Sequence, residues 1–100
     1  MFNGGAMKNI CVITGASSGI GKEFFKSLIS DSDFSFDEIW VIARSSEKLE
    51  ALQTLTDIKV RAIPLDLSRE ESYNTYRELL AEEKPRVRLL VNCSGFGKLS

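Results

Sequence analysis

The chain has 100 residues, a length that predicts a single small domain. Its content of 43% hydrophobic and 27% charged residues is typical of a soluble globular protein. A net charge of −1 gives no electrostatic reason to bind nucleic acid or an anionic membrane surface, and the apolar runs are too short to span a bilayer. We therefore expect neither a nucleic-acid partner nor a membrane association.

The first eight residues carry no basic region followed by an apolar stretch, so they do not resemble a secretory signal. We expect residues 1–8 to form a short disordered leader and residues 9–100 to form the folded domain. Cys11 and Cys93 stand in separate apolar segments, and the chain contains no histidine, which excludes most zinc sites and histidine-activated nucleophiles. This cysteine usage favours a reduced, cytoplasmic setting.

Short apolar segments predict strands at four places along the chain, and two of these segments are continuously apolar, which is typical of strands buried on both faces of a parallel sheet. The predicted strands are Ile10–Ile13, Ile39–Ala43, Val60–Leu65 and Val87–Val91.

Longer amphipathic segments between these strands predict three helices. The first carries an apolar face of Ile20, Phe24, Phe25, Leu28 and Ile29. The second is predicted over about Ser46–Leu55, with Ser45 or Ser46 as its N-cap and Leu49, Leu52 and Leu55 facing inward. The third opens on the capping-box pattern Ser68-Arg69-Glu70-Glu71, carries Tyr73, Tyr76, Leu79 and Leu80, and ends before Pro85.

The element order β-α-β-α-β-α-β predicts an α/β fold, in which right-handed crossovers build a parallel sheet covered by helices on both faces. We expect the strand order 3-2-1-4, a doubly wound arrangement of the Rossmann type. We also expect the first and third helices to share one face, with the second helix on the other.

The connection between the first strand and the first helix is glycine-rich and reads Thr14-Gly-Ala-Ser-Ser-Gly-Ile-Gly21. A turn at this position directs backbone N–H groups and the positive end of a helix at one point, which suits a pyrophosphate. Gly15 would permit the tight turn, Gly19 the close approach of backbone to phosphate, and Gly21 the packing of helix on strand. A P-loop is disfavoured, because Ala16 stands where that motif needs its first glycine and Glu23 where it needs Ser or Thr.

This loop resembles the TGxxxGxG cofactor loop of the short-chain dehydrogenase/reductase family. Two further signatures follow in the family's order: Asp66-Leu67 after the third strand, and Asn92-Cys93-Ser94-Gly95, similar to the family's NNAG segment, after the fourth. The resemblance covers the chain from Asn9 onward. It implies that Asp66 bonds the adenine ring and that the NNAG-like segment lies near the nicotinamide ribose.

The end of the second strand points to one cofactor. Where sites selective for NAD place an acidic residue, this sequence has Ala43 followed by Arg44. A guanidinium can bind a 2′-phosphate through two bonds, Ser45 could add a hydroxyl, and Lys48 could add a second cation one turn later. We therefore expect NADP as cofactor. The residues expected to bind it are Gly15, Ser17, Ser18, Gly19, Ile20, Gly21, Arg44, Ser45, Asp66, Leu67, Asn92, Ser94 and Gly95.

The family's catalytic Tyr-x-x-x-Lys pair lies beyond its NNAG segment, and we assign no catalytic residue within these 100 residues. The sequence Tyr73-Asn-Thr-Tyr-Arg77 is a near match, but it precedes that segment. The resemblance implies the N-terminal part of an oxidoreductase that transfers hydride between NADP(H) and a carbonyl or alcohol, with a small-molecule substrate and a homo-oligomeric assembly. The alternative is a non-catalytic nucleotide-binding fragment or a truncated product, and we expect the 100-residue chain alone to be inactive.

Overall fold

Strands and helices alternate along the chain as the hydrophobic pattern predicts. The structure, a computed structural model, describes residues 7–17, 19–31 and 33–93. The strands are β1 (Asn9–Thr14), β2 (Glu38–Ala43), β3 (Lys59–Pro64) and β4 (Arg86–Asn92). The helices are α1 (Gly19–Ile29), α2 (Ser46–Gln53) and α3 (Glu70–Glu83).

All the described strands run parallel in one sheet with the order β3-β2-β1-β4, which confirms the predicted α/β fold and strand order. The two central strands, β1 and β2, are almost completely buried. Their continuous apolar sequences allow this, because each successive side chain meets a hydrophobic layer on one face or the other.

The distribution of helices over the two faces differs from the prediction. Side chains of α1 and α2, such as Phe25, Leu49 and Leu52, pack in one core with alternate residues of the sheet. Tyr76 of α3 packs in a second core on the opposite face, which includes Trp40. The reason is the direction of the connections. The crossovers β1–β2 and β2–β3 both advance the same way across the sheet, so right-handed connections place α1 and α2 together, whereas the connection to β4 returns past β1 and crosses the other face.

The predicted helix ends are partly wrong. Ser45 is the N-cap of α2 as expected, and its Oγ accepts a hydrogen bond of 3.3 Å from the backbone N–H of Lys48. Leu55, however, lies beyond the end of α2 and is 46% exposed. Ile20, predicted on the inner face of α1, is 61% exposed, because it stands in the first turn, beyond the edge of the core.

The predicted capping box of α3 does not form. The N-cap is Arg69, which makes no side-chain capping bond. The Ser68 hydroxyl instead donates a hydrogen bond of 2.6 Å to Asp66 Oδ1. The Ser68 hydroxyl therefore bonds the Asp66 carboxylate, two residues away, instead of capping α3.

A network of charged side chains holds the amino-terminal edge of the sheet together. The side chain of Glu38 is 6% exposed; its carboxylate accepts hydrogen bonds from Trp40 Nε1 at 2.9 Å and Lys8 Nζ at 3.2 Å, and pairs with Lys59 at 3.2 Å. Lys8 also contacts Glu83 at the end of α3, at 3.1 Å. Lys8, just before β1, therefore links β2 to the end of α3.

This network predicts a loss of stability in acid. Burial opposes the ionisation of Glu38, but the hydrogen bonds from Trp40, Lys8 and Lys59 outweigh it and lower the pKa of that carboxyl. The unfolded chain consequently binds this proton at a higher pH than the folded chain does, so the stabilisation is complete above the unfolded pKa of about 4.3 and is lost as the pH falls through the folded value. Urea unfolding between pH 7 and pH 3 should show this loss.

Replacing Glu38 by glutamine should reduce stability at pH 7 and flatten the acid limb of its pH dependence. The control is Glu50→Gln, since Glu50 is exposed on α2. An acid limb of unchanged slope in Glu38→Gln would show that the network does not contribute to the pH dependence.

In the described part of the chain β4 pairs on one side only, with β1. Leu90 and Val87 on this strand are 57% and 39% exposed. An exposed apolar edge strand offers free N–H and C=O groups to another chain. We expect the 100-residue chain to self-associate in sedimentation experiments, and we expect Leu90→Lys to shift it toward monomer. A monodisperse wild-type monomer at high concentration would contradict this expectation.

The two cysteines are free thiols, and the sheet register holds them too far apart to form a disulfide. Cys11 pairs in the sheet with Leu89, which lies four residues before Cys93. Four residues of strand extend about 13 Å, beyond the reach of a disulfide.

Candidate functional site

The segments that carry the predicted site residues meet at the carboxyl edge of the sheet. The register pairs Thr14, the last residue of β1, with both Ile42 and Asn92, and it pairs Ala43 with Pro64. The connections that follow these strands therefore leave the sheet at the same level. In an open parallel sheet this edge, at the point where the strand order reverses, is where ligands bind.

The glycine loop is held by both neighbouring strands. Gly15 has a φ of 69°, in the left-handed region that glycine tolerates, so the chain can turn sharply after β1. The backbone N–H groups of Gly15 and Ala16 donate to the carbonyl of Ile42, at 2.8 and 3.3 Å. The role of Gly15 is therefore conformational, and its N–H is already occupied by the backbone of β2.

The second and third glycines have different surroundings. A Cβ on Gly21 would lie 2.2 Å from the carbonyl oxygen of Gly15 and 2.9 Å from the Cα of Ala16, so α1 contacts the loop backbone directly at this point. A Cβ on Gly19 would have no heavy atom within 4 Å. The space in front of Gly19 is thus open, and a ligand could approach the backbone there.

Donors for an anion come from the start of α1. The helix begins with Gly19 and Ile20, whose N–H groups belong to its first turn and therefore have no acceptor within the helix. Both residues are exposed, and Ser17 next to them is half-buried. The remaining loop residue, Ser18, lies outside the described residues. Exposed backbone donors at a helix N-terminus are the chemistry that a pyrophosphate requires.

Asn92 at the end of β4 is held by a residue that sequence reasoning missed. The Thr14 hydroxyl donates to Asn92 Oδ1 at 2.8 Å, and the Cys93 N–H donates to the Thr14 carbonyl at 2.9 Å. Thr14 is the first residue of the glycine motif, and this position is the sequence feature that could have identified it as a site residue. Ser94 and Gly95, which follow in the NNAG-like segment, lie outside the described residues.

The basic group predicted at the end of β2 lies at the same edge. Arg44 directly follows Ala43, the last residue of β2, and is exposed. Ser45 uses one lone pair to accept from Lys48, which leaves its O–H proton free to donate to a phosphate oxygen. Lys48, exposed in the first turn of α2, is a second cation on this side of the loop.

Asp66, after β3, is an ionised acceptor. Its Oδ1 accepts hydrogen bonds from the hydroxyl and the backbone N–H of Ser68, at 2.6 and 3.1 Å. These two bonds lower the pKa of the Asp66 carboxyl, and the positive charges of Arg44 and Arg69 lower it further. Leu67, also predicted in the site, is half-buried and packs its side chain against the core under α3.

The arrangement fits a dinucleotide. Backbone donors and open space lie at the glycine loop, cations lie at the end of β2, and a carboxylate acceptor lies at the end of β3. In the Tyr73–Arg77 segment, Tyr76 is buried in the core under α3, where burial raises the pKa of its phenol. Over the described ranges no cluster of three or more potential metal ligands is present, and no helix is long and apolar enough to cross a membrane.

The sheet order and the glycine loop after β1 define a Rossmann-type α/β protein. The chain belongs to the short chain dehydrogenase family, whose family model matches residues 9–100. That family binds a nicotinamide dinucleotide and carries out oxidoreductase chemistry.

Individual relatives agree with this assignment. The chain is 39% identical over 93 residues to a very-long-chain 3-oxoacyl-CoA reductase of Vanderwaltozyma polyspora, a match that covers 87% of this chain and 25% of the relative. It is 33% identical over 86 residues to a protein of Dichelobacter nodosus whose name describes an NADP-dependent dehydrogenase, covering 86% of this chain and 77% of the relative.

A solved short-chain dehydrogenase of Streptomyces avermitilis is also similar in fold. It superposes with a TM-score of 0.67 at 25% identity, over 85% of this chain and 30% of that one. The chain thus spans about a quarter of the reductase and about a third of this dehydrogenase.

Proposed function

We propose that this chain is the cofactor-binding part of an NADP(H)-dependent oxidoreductase that transfers hydride between the cofactor and a carbonyl or alcohol substrate. The observation that carries the cofactor choice is Arg44, exposed at the carboxyl end of β2 directly after Ala43. An acidic side chain there would repel a 2′-phosphate, whereas a guanidinium can bind it through two charge-assisted hydrogen bonds.

The proposed roles follow from the geometry of the edge. The N–H groups of Gly19 and Ile20 would bind the pyrophosphate, Arg44 and Ser45 the 2′-phosphate, Asp66 the adenine, and Asn92 the ribose on the nicotinamide side. The bound cofactor supplies the hydride. The residues of this chain bind and orient it, and we assign none of them a role in proton transfer.

The names of relatives support the reductive chemistry without fixing the substrate. One relative is named a 3-oxoacyl-CoA reductase and the other an NADP-dependent dehydrogenase. Both names describe oxidation or reduction, which agrees with a carbonyl or alcohol substrate. We further propose that residues 9–100 form one NADP-binding half-domain and that the whole protein assembles as a homo-oligomer.

Calorimetric titration with NADPH and NADH tests the cofactor proposal. We expect NADPH to bind at least tenfold more tightly, because a charge-assisted hydrogen bond contributes about 1.5–3 kcal/mol and tenfold corresponds to about 1.4 kcal/mol. Equal affinities would contradict the assignment to Arg44. Failure of both cofactors to bind would reject the site itself.

An activity assay distinguishes an oxidoreductase from a non-catalytic nucleotide-binding module. NADPH oxidation followed with a panel of ketones and aldehydes should proceed in the complete protein and be absent in the 100-residue chain, in which we assign no catalytic residue. A complete protein that binds NADPH but oxidises it with no carbonyl compound would support the alternative of a non-catalytic nucleotide-binding module.

A further inference from the structure

Ser68 holds the carboxylate of Asp66 in one orientation. Its hydroxyl and its backbone N–H both donate to the same oxygen, Oδ1, at 2.6 and 3.1 Å. The backbone N–H of Arg69 donates to the Asp66 carbonyl at 3.0 Å, so the main chain is turned back on itself here as well. The rotation of the carboxyl group is therefore restricted by bonds that come from one neighbouring residue.

This restriction makes the two oxygens of the Asp66 carboxylate different in their hydrogen bonding. Oδ1 accepts from both donors of Ser68, whereas no donor from residues 7–17, 19–31 or 33–93 bonds to Oδ2. The same bonds, with Arg44 and Arg69 nearby, lower the pKa of the carboxyl, so the group is ionised near neutral pH and can only accept. An acceptor of this kind matches an exocyclic amino group and repels a carbonyl oxygen.

We infer that Ser68 is a positioning residue for base recognition, which fixes Asp66 so that Oδ2 accepts from the amino group of adenine and discriminates against a 6-oxopurine. The inference rests on the proposed function, because it requires the adenine of a dinucleotide to bind beside Asp66. It adds a specificity-determining contact through a residue that does not itself touch the base.

Two ligands distinguish this role from general stabilisation. NADPH carries the 6-amino group, and its hypoxanthine analogue replaces that donor by a carbonyl. We expect Ser68→Ala to weaken NADPH binding about fivefold, the equivalent of one net hydrogen bond, and to leave the affinity for the hypoxanthine analogue unchanged. Ser68→Thr, which keeps a hydroxyl, should restore NADPH binding. The matched control is Ser30→Ala, since Ser30 is exposed and its hydroxyl bonds only the Lys26 carbonyl, at 2.9 Å.

A second readout needs no cofactor. Carboxyl titration by NMR should show a higher pKa for Asp66 in Ser68→Ala than in the wild type, and a return toward the wild-type value in Ser68→Thr. This change in pKa reports the Ser68–Asp66 hydrogen bond itself, so an unchanged Asp66 pKa in Ser68→Ala would overturn the inference.

The binding outcomes separate the two proposals. If Ser68→Ala weakens both dinucleotides by the same factor, or neither of them, the positioning role is wrong while the cofactor site stands. If the wild-type protein binds neither dinucleotide, the cofactor site is wrong and the positioning role falls with it.

Discussion

Replacing Gly21 by alanine should lower the free energy of unfolding by about 3 kcal/mol, the upper end of the usual cost of overpacking. The added Cβ would lie 2.2 Å from the Gly15 carbonyl oxygen and 2.9 Å from the Gly15 carbonyl carbon. Both are backbone atoms, and the Gly15 N–H is bonded to the Ile42 carbonyl, so the loop cannot move away without breaking its attachment to β2. Urea unfolding measures the loss, and dinucleotide binding should fall with it.

The matched substitution is Gly19→Ala in the same loop. A Cβ at Gly19 meets no heavy atom within 4 Å, and alanine is the better helix former by about 1 kcal/mol, so stability should be unchanged or slightly higher. NADPH affinity should nevertheless fall at least tenfold, because the methyl group would occupy the space through which phosphate approaches the backbone. Wild-type stability in Gly21→Ala, or wild-type NADPH binding in Gly19→Ala, would contradict these assignments.

Replacing Arg44 by aspartate should weaken NADPH binding by about 3 kcal/mol, or roughly a hundredfold. The substitution removes the charge-assisted bonds to the 2′-phosphate and brings a like charge against it. Binding of NADH should be retained or improved, because a carboxylate at this position can accept from the ribose 2′-hydroxyl. The cofactor preference should therefore reverse in calorimetric titrations.

Arg86→Asp is the control for net charge. Arg86 begins β4 at the opposite edge of the sheet and is exposed, so the variant makes the same charge change away from the site. If both variants weaken NADPH equally, the effect is long-range electrostatics rather than a contact. If Arg44→Asp keeps the wild-type preference, the 2′-phosphate is recognised elsewhere.

The sequence was sufficient for the parallel sheet and its strand order. The continuously apolar β1 and β2 indicate burial between two helical layers, and the glycine loop after β1 indicates the point where the strand order reverses. The sequence was also sufficient for the places of Gly15 and Gly21, whose motif reflects a turn and a close contact that the structure contains. In both cases a short sequence pattern, the apolar strand or the glycine motif, is compatible with few local structures.

The sequence was not sufficient for other features, because they depend on contacts or connections that a local sequence pattern does not show. Ser68 fits a capping box, but Asp66 lies two residues away and takes its hydroxyl. Leu55 fits a helical repeat, but α2 ends at Gln53. The helix faces were misassigned because alternation was assumed, whereas the direction of each crossover decides the face. No local pattern shows the contacts of Lys8 with Glu38 and Glu83, which are distant in sequence.

Mapping NADPH binding onto the backbone amides by NMR tests the central claim most directly. We expect chemical-shift changes at the carboxyl edge, at Gly19, Ile20, Arg44 and Asp66, and none at Lys8 and Glu38 on the opposite edge. Changes concentrated around Lys8 and Glu38, or no change at any amide with millimolar NADPH, would contradict it.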